Sequence, residues 1–126
     1  MYRYRKRDGR SSTVLKAFNR CRHKLGTITR IVAHRFAATR GTGEGVFTTE
    51  FEVITIYGTN GTARFDGVCW GYGGEGPHAV KKLLQAAGVS NDAAEEHAFR
   101  SIRQRIGLAN LLKMPQRRQV DWIITL

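Results

Sequence analysis

The sequence predicts an α+β domain, because a helical segment, a pair of alternating strands and two more helices follow one another along its 126 residues. An Asn-Gly turn joins the strands, and a glycine-rich loop separates them from the later helices. The length fits a single domain over 1–126. We expect residues 1–10 to form a flexible basic arm, although Tyr2 and Tyr4 alternate with arginines and a short edge strand is the alternative.

An N-terminal basic helix is predicted over 13–25. Val14, Phe18 and further apolar residues recur there at helical spacing and make one face, while basic residues lie four apart on another. The serine pair 11–12 offers an N-cap, and Gly26 suits the position that follows the last turn.

The strands that follow are expected to form a small antiparallel sheet. Residues 27–39 are rich in β-branched and aromatic residues and predict a strand, but their alternation is poor and also fits a helix. Residues 46–57 alternate strongly, and residues 62–70 are predicted to pair with them. The Asn-Gly dipeptide between these segments favours a tight hairpin, because both residues accept positive φ.

Two C-terminal helices and a final strand complete the prediction. The first of these helices closes at Gly88, and the second runs over 91–106 with Asp92 and Glu95 at capping-box spacing. The end of the chain, 119–126, is predicted to be a strand, or a tail that packs on the sheet.

The formal charge of +11 lies entirely in the first third of the chain. Residues 1–40 contain twelve Lys and Arg and one acid, whereas residues 41–126 contain nine basic and nine acidic residues. This segregation favours an anionic partner, although a solvated face is the structural alternative and a transit peptide has a similar composition. The residues that would contact a nucleic acid are Arg3, Arg5, Lys6, Arg7, Arg10, Lys16, Arg20 and Lys24.

The glycine-rich loop before the helix that ends at Gly88 is the main candidate site. Its glycines let a ligand approach the backbone, and it leads into a helix N-terminus, where N–H groups and the helix dipole favour an anion. The loop matches neither a P-loop nor a dinucleotide-binding turn, and a tight strand-to-helix corner is the structural alternative. The candidate residues are Trp70 and Tyr72 for base stacking, Gly73, Gly74, Gly76 and His78 for phosphate, and Glu75 for a hydroxyl or amino group.

Arginines of the 91–106 helix are a second candidate for phosphate binding. Arg100 and Arg103 lie three apart and share a face, with Arg105 a little further round the helix. Guanidinium groups suit phosphate oxygens, and a solvated helix face is the structural alternative.

The sequence carries no pattern that indicates catalysis, a metal or a cofactor. The four histidines lack metal-ligand spacing, no nucleophile elbow occurs, and nothing positions a third group beside Glu75 and His78. Cys21 and Cys69 stand in no motif and are expected to be buried free thiols of a cytoplasmic protein. No apolar run reaches the roughly 20 residues of a membrane span, and no secretory signal is visible.

The turn before the first C-terminal helix reads Tyr72-Gly73-Gly74-Glu75-Gly76-Pro77-His78. This turn, together with its surroundings over residues 46–106, resembles the phage anti-Thoeris sponge proteins. The resemblance implies a non-enzymatic protein that sequesters cyclic ADP-ribose immune signals in pockets between subunits, with some members also holding cyclic oligonucleotides. The resemblance also implies that Arg100 and Arg103 contribute to ligand binding. Trp70–Gly74 equally resembles a Trp-Gly-Tyr-Gly-Gly turn of uncharacterised phage and plasmid domains, which implies no function.

The leading hypothesis is a non-enzymatic, phage-type anti-defence protein that binds and sequesters a cyclic nucleotide or a cyclic ADP-ribose-type signal. Tight binding of a small charged ligand requires enclosure, so we expect a homodimer or a larger oligomer. The expected location is the cytoplasm, that of the host cell for a phage protein, with no membrane partner. The alternative is a basic nucleic-acid-binding protein that uses residues 1–24, and a protein inhibitor of a nucleic-acid-binding factor would use the same surface.

Overall fold

The structure is a computed structural model, and it describes residues 1–8, 10–40, 47–70, 74–99 and 116–126. It has the predicted α+β architecture, with helices on one face of a five-stranded sheet. In chain order the elements are β1 (Tyr2–Lys6), α1 (Val14–Leu25), β2 (Ile28–Arg40), β3 (Phe47–Gly58), β4 (Gly61–Asp66), α2 (Glu75–Ala86), α3 (Asn91–Phe99) and β5 (Gln116–Thr125).

The strand order of the sheet is β1-β4-β3-β2-β5. Three pairings are antiparallel, but β1 runs parallel to β4, so the prediction of a wholly antiparallel sheet is wrong at this edge. Residues 2–6 form the edge strand that was the alternative to a flexible arm. Tyr2 and Tyr4 pack against the core, and the Tyr4 ring lies 6.0 Å from that of Phe65. Burial of these aromatic rings holds the basic segment on the sheet.

The core lies between one face of the sheet and the three helices. Alternate strand residues supply one half of it, and apolar stripes of α1, α2 and α3 supply the other. Because the stripe of α1 is buried, the basic residues on its remaining faces point to solvent. The largest fully buried side chains include Trp70, Phe18, Phe65, Leu25, Ile31, Ile54, Ile56, Leu83 and Leu84.

The hairpin is in the predicted place, but its turn has a different conformation. The loop residues between β3 and β4 are Thr59 and Asn60, and neither has positive φ. The reason is tertiary. The N–H of Thr59 donates to the Thr27 carbonyl, and the N–H of Asn60 donates to the Leu25 carbonyl, which seats the turn on the end of α1. Gly58 permits this approach, because a Cβ there would lie 2.2 Å from the Leu25 oxygen.

The first helix occupies almost the predicted span, but it begins differently. A 3₁₀ turn at Ser11–Thr13 precedes α1, and no side chain caps either element. The serine pair 11–12 is therefore not the predicted N-cap, and its hydroxyl groups have no hydrogen-bond partner within the described residues. Gly26 ends the helix with a φ of 76°, which glycine adopts without strain.

The start of α3 also differs from the predicted capping box. Ser90 is the cap, since its hydroxyl oxygen accepts the N–H of Ala93 at 3.3 Å. Asp92 and Glu95 lie inside the helix instead. The predicted continuation of this helix over 100–106 lies outside the described residues.

Candidate functional site

Trp70, which precedes the glycine loop, is a core residue. Its side chain is fully buried, and its ring meets Trp122 edge-on with 5.9 Å between centroids. The indole Nε1 donates to Asp121 Oδ2 at 2.8 Å, and the Trp70 backbone N–H donates to Glu52 Oε2 at 3.3 Å. A ring with no exposed face is not available to a base. The structure therefore gives Trp70 a structural role in place of the predicted stacking role.

Asp121 reaches Trp70 because β5 carries a bulge. Val120 and Trp122 pair with consecutive residues of β2, so Asp121 is an extra residue between them. The bulge turns its carboxylate into the core, where Oδ1 lies 3.0 Å from Arg35 Nη2 and both side chains are at most 4% exposed. The buried ion pair and the indole hydrogen bond together hold the base of the glycine loop against β2 and β5.

The structure describes only part of the predicted ligand set. Gly74 stands immediately before α2, and the next residues form its first turn, in which Gly76 is buried while Glu75 and His78 are exposed. The predicted ligand residues that lie outside the described part of the chain are Tyr72, Gly73, Arg100 and Arg103.

The first turn of α2 presents unpaired backbone donors. Gly74 is in extended backbone with a φ of 161°, and no side chain caps the helix. The N–H groups of Glu75 and Gly76 have no acceptor within the described residues, since the first N–H groups of a helix lack intrahelical partners. The N–H of His78 is satisfied by the Gly74 carbonyl at 3.3 Å. The two unpaired donors and the helix dipole favour an anion at this end.

A groove of about 320 Å³ lies between this turn and the 3₁₀ turn before α1. Glu75, His78 and Lys82 are on one wall, because residues three and four apart share a helix face. The two serine hydroxyls are on the other wall. The complete lining is Ser11, Ser12, Leu15, Glu75, His78, Ala79 and Lys82.

The chemistry of the groove is that of a site for a small phosphate-bearing molecule. The Lys82 ammonium and the serine hydroxyls are donors for phosphate oxygens, and the Glu75 carboxylate is an acceptor for hydroxyl or amino groups. The His78 ring is supported by Phe99, which it meets edge-on at 4.8 Å. The groove volume lies at the lower end of the range of about 300–1,000 Å³ for small-molecule sites.

A second candidate surface is formed by the basic residues of β1, α1 and the turn between them. Lys16, Arg20 and Lys24 lie four apart along the solvent side of α1. Lys6 is the exception among the predicted nucleic-acid contacts, because it is only 5% exposed. The exposed members of the predicted set are Arg3, Arg5, Arg7, Arg10, Lys16, Arg20 and Lys24.

Asp66 neutralises part of this basic surface. Its carboxylate accepts hydrogen bonds from Arg5 at 2.8 Å and from Arg64 at 2.7 Å. Partial burial raises the pKa of Asp66, but the hydrogen bonds from the two arginines outweigh this and hold the pKa below its ordinary value. Arg5 is thus already paired, whereas the neighbouring cation Arg3 has no acidic partner within the described residues.

The other predicted features give no further site in the described part of the chain. Cys21 and Cys69 do not form a disulfide there, and Cys69 is only partly buried, unlike the prediction. Burial raises the pKa of the Cys21 thiol. The described residues contain no group of three His, Cys, Asp or Glu side chains placed to hold a metal. None of their helices has the length and apolar character that crossing a membrane requires.

No protein-family model, curated protein or solved structure matches this chain. The relation of the 72–78 turn to the sponge proteins therefore stays a prediction. The groove and the basic surface are supported by the position and chemistry of the residues that form them.

Sequence reasoning missed the three other polar members of the groove. Lys82 follows His78 by four residues, so its position on the same helix face was available from the pattern. Ser11 and Ser12 gave no comparable signal, because only the packing of the 3₁₀ turn beside α2 brings them to the site.

Proposed function

We propose that this protein binds a cyclic nucleotide immune signal without transforming it and acts as a phage-type anti-defence sponge in the host cytoplasm. The groove between Ser11–Leu15 and Glu75–Lys82 carries the proposal. It combines Glu75 from the uncapped first turn of α2, the Lys82 cation and hydroxyl donors in one concave site. The resemblance of the 72–78 turn supports the same class of ligand.

The proposed roles follow from the donors and acceptors on each wall. A phosphate group lies at the start of α2, where it accepts from the backbone of Glu75 and Gly76 and from the Lys82 ammonium. The serine pair 11–12 donates from the opposite wall. The Glu75 carboxylate sits beside the phosphate position and selects ligands that present a hydroxyl or amino group to it. Arg100 and Arg103 remain proposed contributors from the 91–106 segment.

Enclosure of the ligand is proposed to come from a second copy of the chain. The groove is open to solvent on its outer side, and tight retention of a small ligand requires most of its surface to be covered. β5 is an edge strand that exposes Val120 and Ile123, which are about half accessible at 48% and 53%. Apolar side chains exposed on an edge strand are a surface that a second chain can cover. These features support a homodimer or a larger oligomer.

The direct test is retention and release of an intact nucleotide. Purified protein is incubated with cyclic ADP-ribose isomers and cyclic di- and trinucleotides, freed of unbound ligand, denatured by heat, and the supernatant is analysed by chromatography. We expect one class of nucleotide to be released unaltered and only after denaturation. Recovery of a modified nucleotide would indicate an enzyme, and recovery of none would contradict the proposal.

Lys82→Ala is expected to weaken nucleotide binding by roughly tenfold or more, which corresponds to one charge-assisted hydrogen bond. Calorimetric titration with the retained nucleotide measures this change. Lys81→Ala is the matched control, because Lys81 lies next in sequence but pairs with Glu95 of α3 at 3.8 Å and does not line the groove. Equal affinities of the two variants would count against the groove as the site.

A nucleic-acid-binding function is the second candidate. The observation that favours it is the exposure of seven of the eight predicted contacts on β1, α1 and the turn between them. A surface of this kind attracts a phosphate backbone without reading its sequence.

Replacement of Arg3 and Arg7 by alanine tests this candidate. The logarithm of the affinity for a single-stranded oligonucleotide should fall linearly with the logarithm of salt concentration, and the double variant should reduce that slope by about 1.4, since each phosphate contact contributes about 0.7. Fluorescence anisotropy over a salt series measures the slope. Lys81→Ala should leave it unchanged, and a slope that is equal in wild type and R3A/R7A would exclude these arginines as contacts.

A further inference from the structure

A cleft of about 250 Å³ lies between β1 and α1 and shares no residue with the groove beside α2. One wall comes from β1 and the turn that follows it, and the other comes from the first half of α1. Its lining is Tyr4, Lys6, Asp8, Thr13, Lys16, Ala17 and Arg20.

Lys6 forms the buried part of this cleft. Its side chain is 4% exposed, and its ammonium donates to the carboxylate of Asp8 and, at 2.8 Å, to the carbonyl of Arg10. An ammonium has three N–H donors, so one donor has no acceptor within the described residues. A buried cation gains strongly from a further anionic acceptor, because water does not solvate it there.

The charges that line the cleft leave a net positive site. Lys6, Lys16 and Arg20 contribute three positive charges, and Asp8 contributes one negative charge. Hydrogen bonds from the Lys6 ammonium and the Arg10 N–H hold the pKa of Asp8 below its ordinary value, so its carboxylate stays ionised. Lys16 and Arg20 lie one helical turn apart, are exposed, and have no acidic partner within the described residues. The cleft therefore has a charge of +2 that no described group balances.

We propose that this cleft binds a phosphate monoester dianion. A monoester carries close to two negative charges at pH 7, since its second pKa is about 6, whereas a diester carries one. The monoester matches the charge of the cleft, and its terminal oxygens fit between the third donor of Lys6 and the side chains of Lys16 and Arg20. Such a group occurs on a free mononucleotide and at the phosphorylated end of a nucleic acid.

The site is tested by calorimetry with two probes, adenosine 5′-monophosphate and adenosine 3′,5′-cyclic monophosphate, on the full-length Lys82→Ala protein, in which the groove beside α2 is weakened. We expect this protein to bind the monoester at least about tenfold more tightly than the cyclic diester, because one charge-assisted contact in the cleft is lost with the second charge. Equal affinity for the two probes, or no binding of the monoester, would overturn the proposal.

The variant K16A/R20A removes two cations from the α1 wall of the cleft without touching buried Lys6. We expect it to weaken binding of the monoester by roughly a hundredfold, the product of two charge-assisted contacts. R22A/R30A is the matched control, because it removes the same charge from the basic segment outside the cleft. An affinity of the control variant within about threefold of wild type supports a defined site. Equal losses of affinity in the two variants would show diffuse electrostatic attraction and overturn the proposal.

Two further probes identify the source of the phosphate. A hexadeoxythymidylate with a 5′-phosphate that binds more tightly than the monophosphate, while its 5′-hydroxyl form does not, supports the end of a nucleic acid as the ligand. Tighter binding of the monophosphate supports a free nucleotide. Lys82→Ala, which affects only the groove, should leave the affinities for the monoester and for the 5′-phosphorylated oligonucleotide as they are in wild type, so that failure of the sponge proposal and failure of the monoester site are separate results.

Discussion

Asp121→Ala is expected to lower the free energy of unfolding by about 3–5 kcal/mol, which is the cost of breaking a buried ion pair by removing one partner. Its carboxylate accepts from Arg35 and, through the other oxygen, from the Trp70 indole. The deletion leaves a guanidinium buried without this counter-charge. In thermal unfolding followed by circular dichroism, the midpoint should fall by about 10 °C or more.

Glu95→Ala is the control for this prediction. It removes another ion pair, Lys81 with Glu95, whose atoms are 3.8 Å apart and whose glutamate is 64% exposed. Exposed pairs contribute only about 0–1 kcal/mol, so the midpoint should hardly move. The unfolding midpoint of Asp121→Asn should lie between those of Asp121→Ala and Glu95→Ala. The asparagine keeps an oxygen that accepts from Trp70 but loses the charge. If Asp121→Ala lowered the unfolding midpoint as little as Glu95→Ala does, the structural role of the bulge would be contradicted.

Trp70→Ala is expected to destabilise the fold by about 3–5 kcal/mol, the usual cost of truncating a buried aromatic side chain. The fully buried ring packs edge-on against Trp122, and its Nε1 donates to the Asp121 carboxylate. Urea unfolding at equilibrium measures the loss. The same experiment separates a core role from the base-stacking role that the sequence suggests for this residue.

Trp70→Phe is the companion variant, because it keeps an aromatic ring in the core and removes the Nε1 donor with only part of the side-chain volume. Trp70→Phe should lower the free energy of unfolding clearly less than Trp70→Ala does, because the phenyl ring leaves a smaller cavity. If Trp70→Ala unfolded at the wild-type urea concentration and lost only nucleotide retention, the residue would be a ligand contact, and the packing described for it would be wrong.

Local patterns in the sequence predict most elements of this fold. The apolar spacing of α1, the alternation along β3 and the glycine-rich stretch that precedes α2 are local patterns, and α1, β3 and α2 are each found close to their predicted positions. Three boundary details fail, the cap of α1, the cap of α3 and the hairpin turn. At the last two, a hydrogen bond to another residue replaces the conformation that the spacing or the dipeptide favours.

The candidate site is predicted less completely than the fold. His78 is exposed in the first turn of α2, and Glu75, predicted to lie in the loop, is exposed in the same turn, while Trp70 is in the core. An indole before a glycine loop has the same local pattern whether it stacks on a ligand or on a second indole. Trp70 lies in the core because it packs against Trp122, which is far away in the chain.

The sequence by itself determined the α+β class, the segregation of positive charge into residues 1–40 and the place of the glycine loop, because these depend on composition and short-range periodicity. The tertiary structure alone decided the parallel pairing of β1 with β4, the bulge that buries Asp121, and the two concave sites. Each of these brings together residues that are distant in the chain. Such contacts depend on how side chains are buried across the whole domain, and a local sequence pattern does not contain that information.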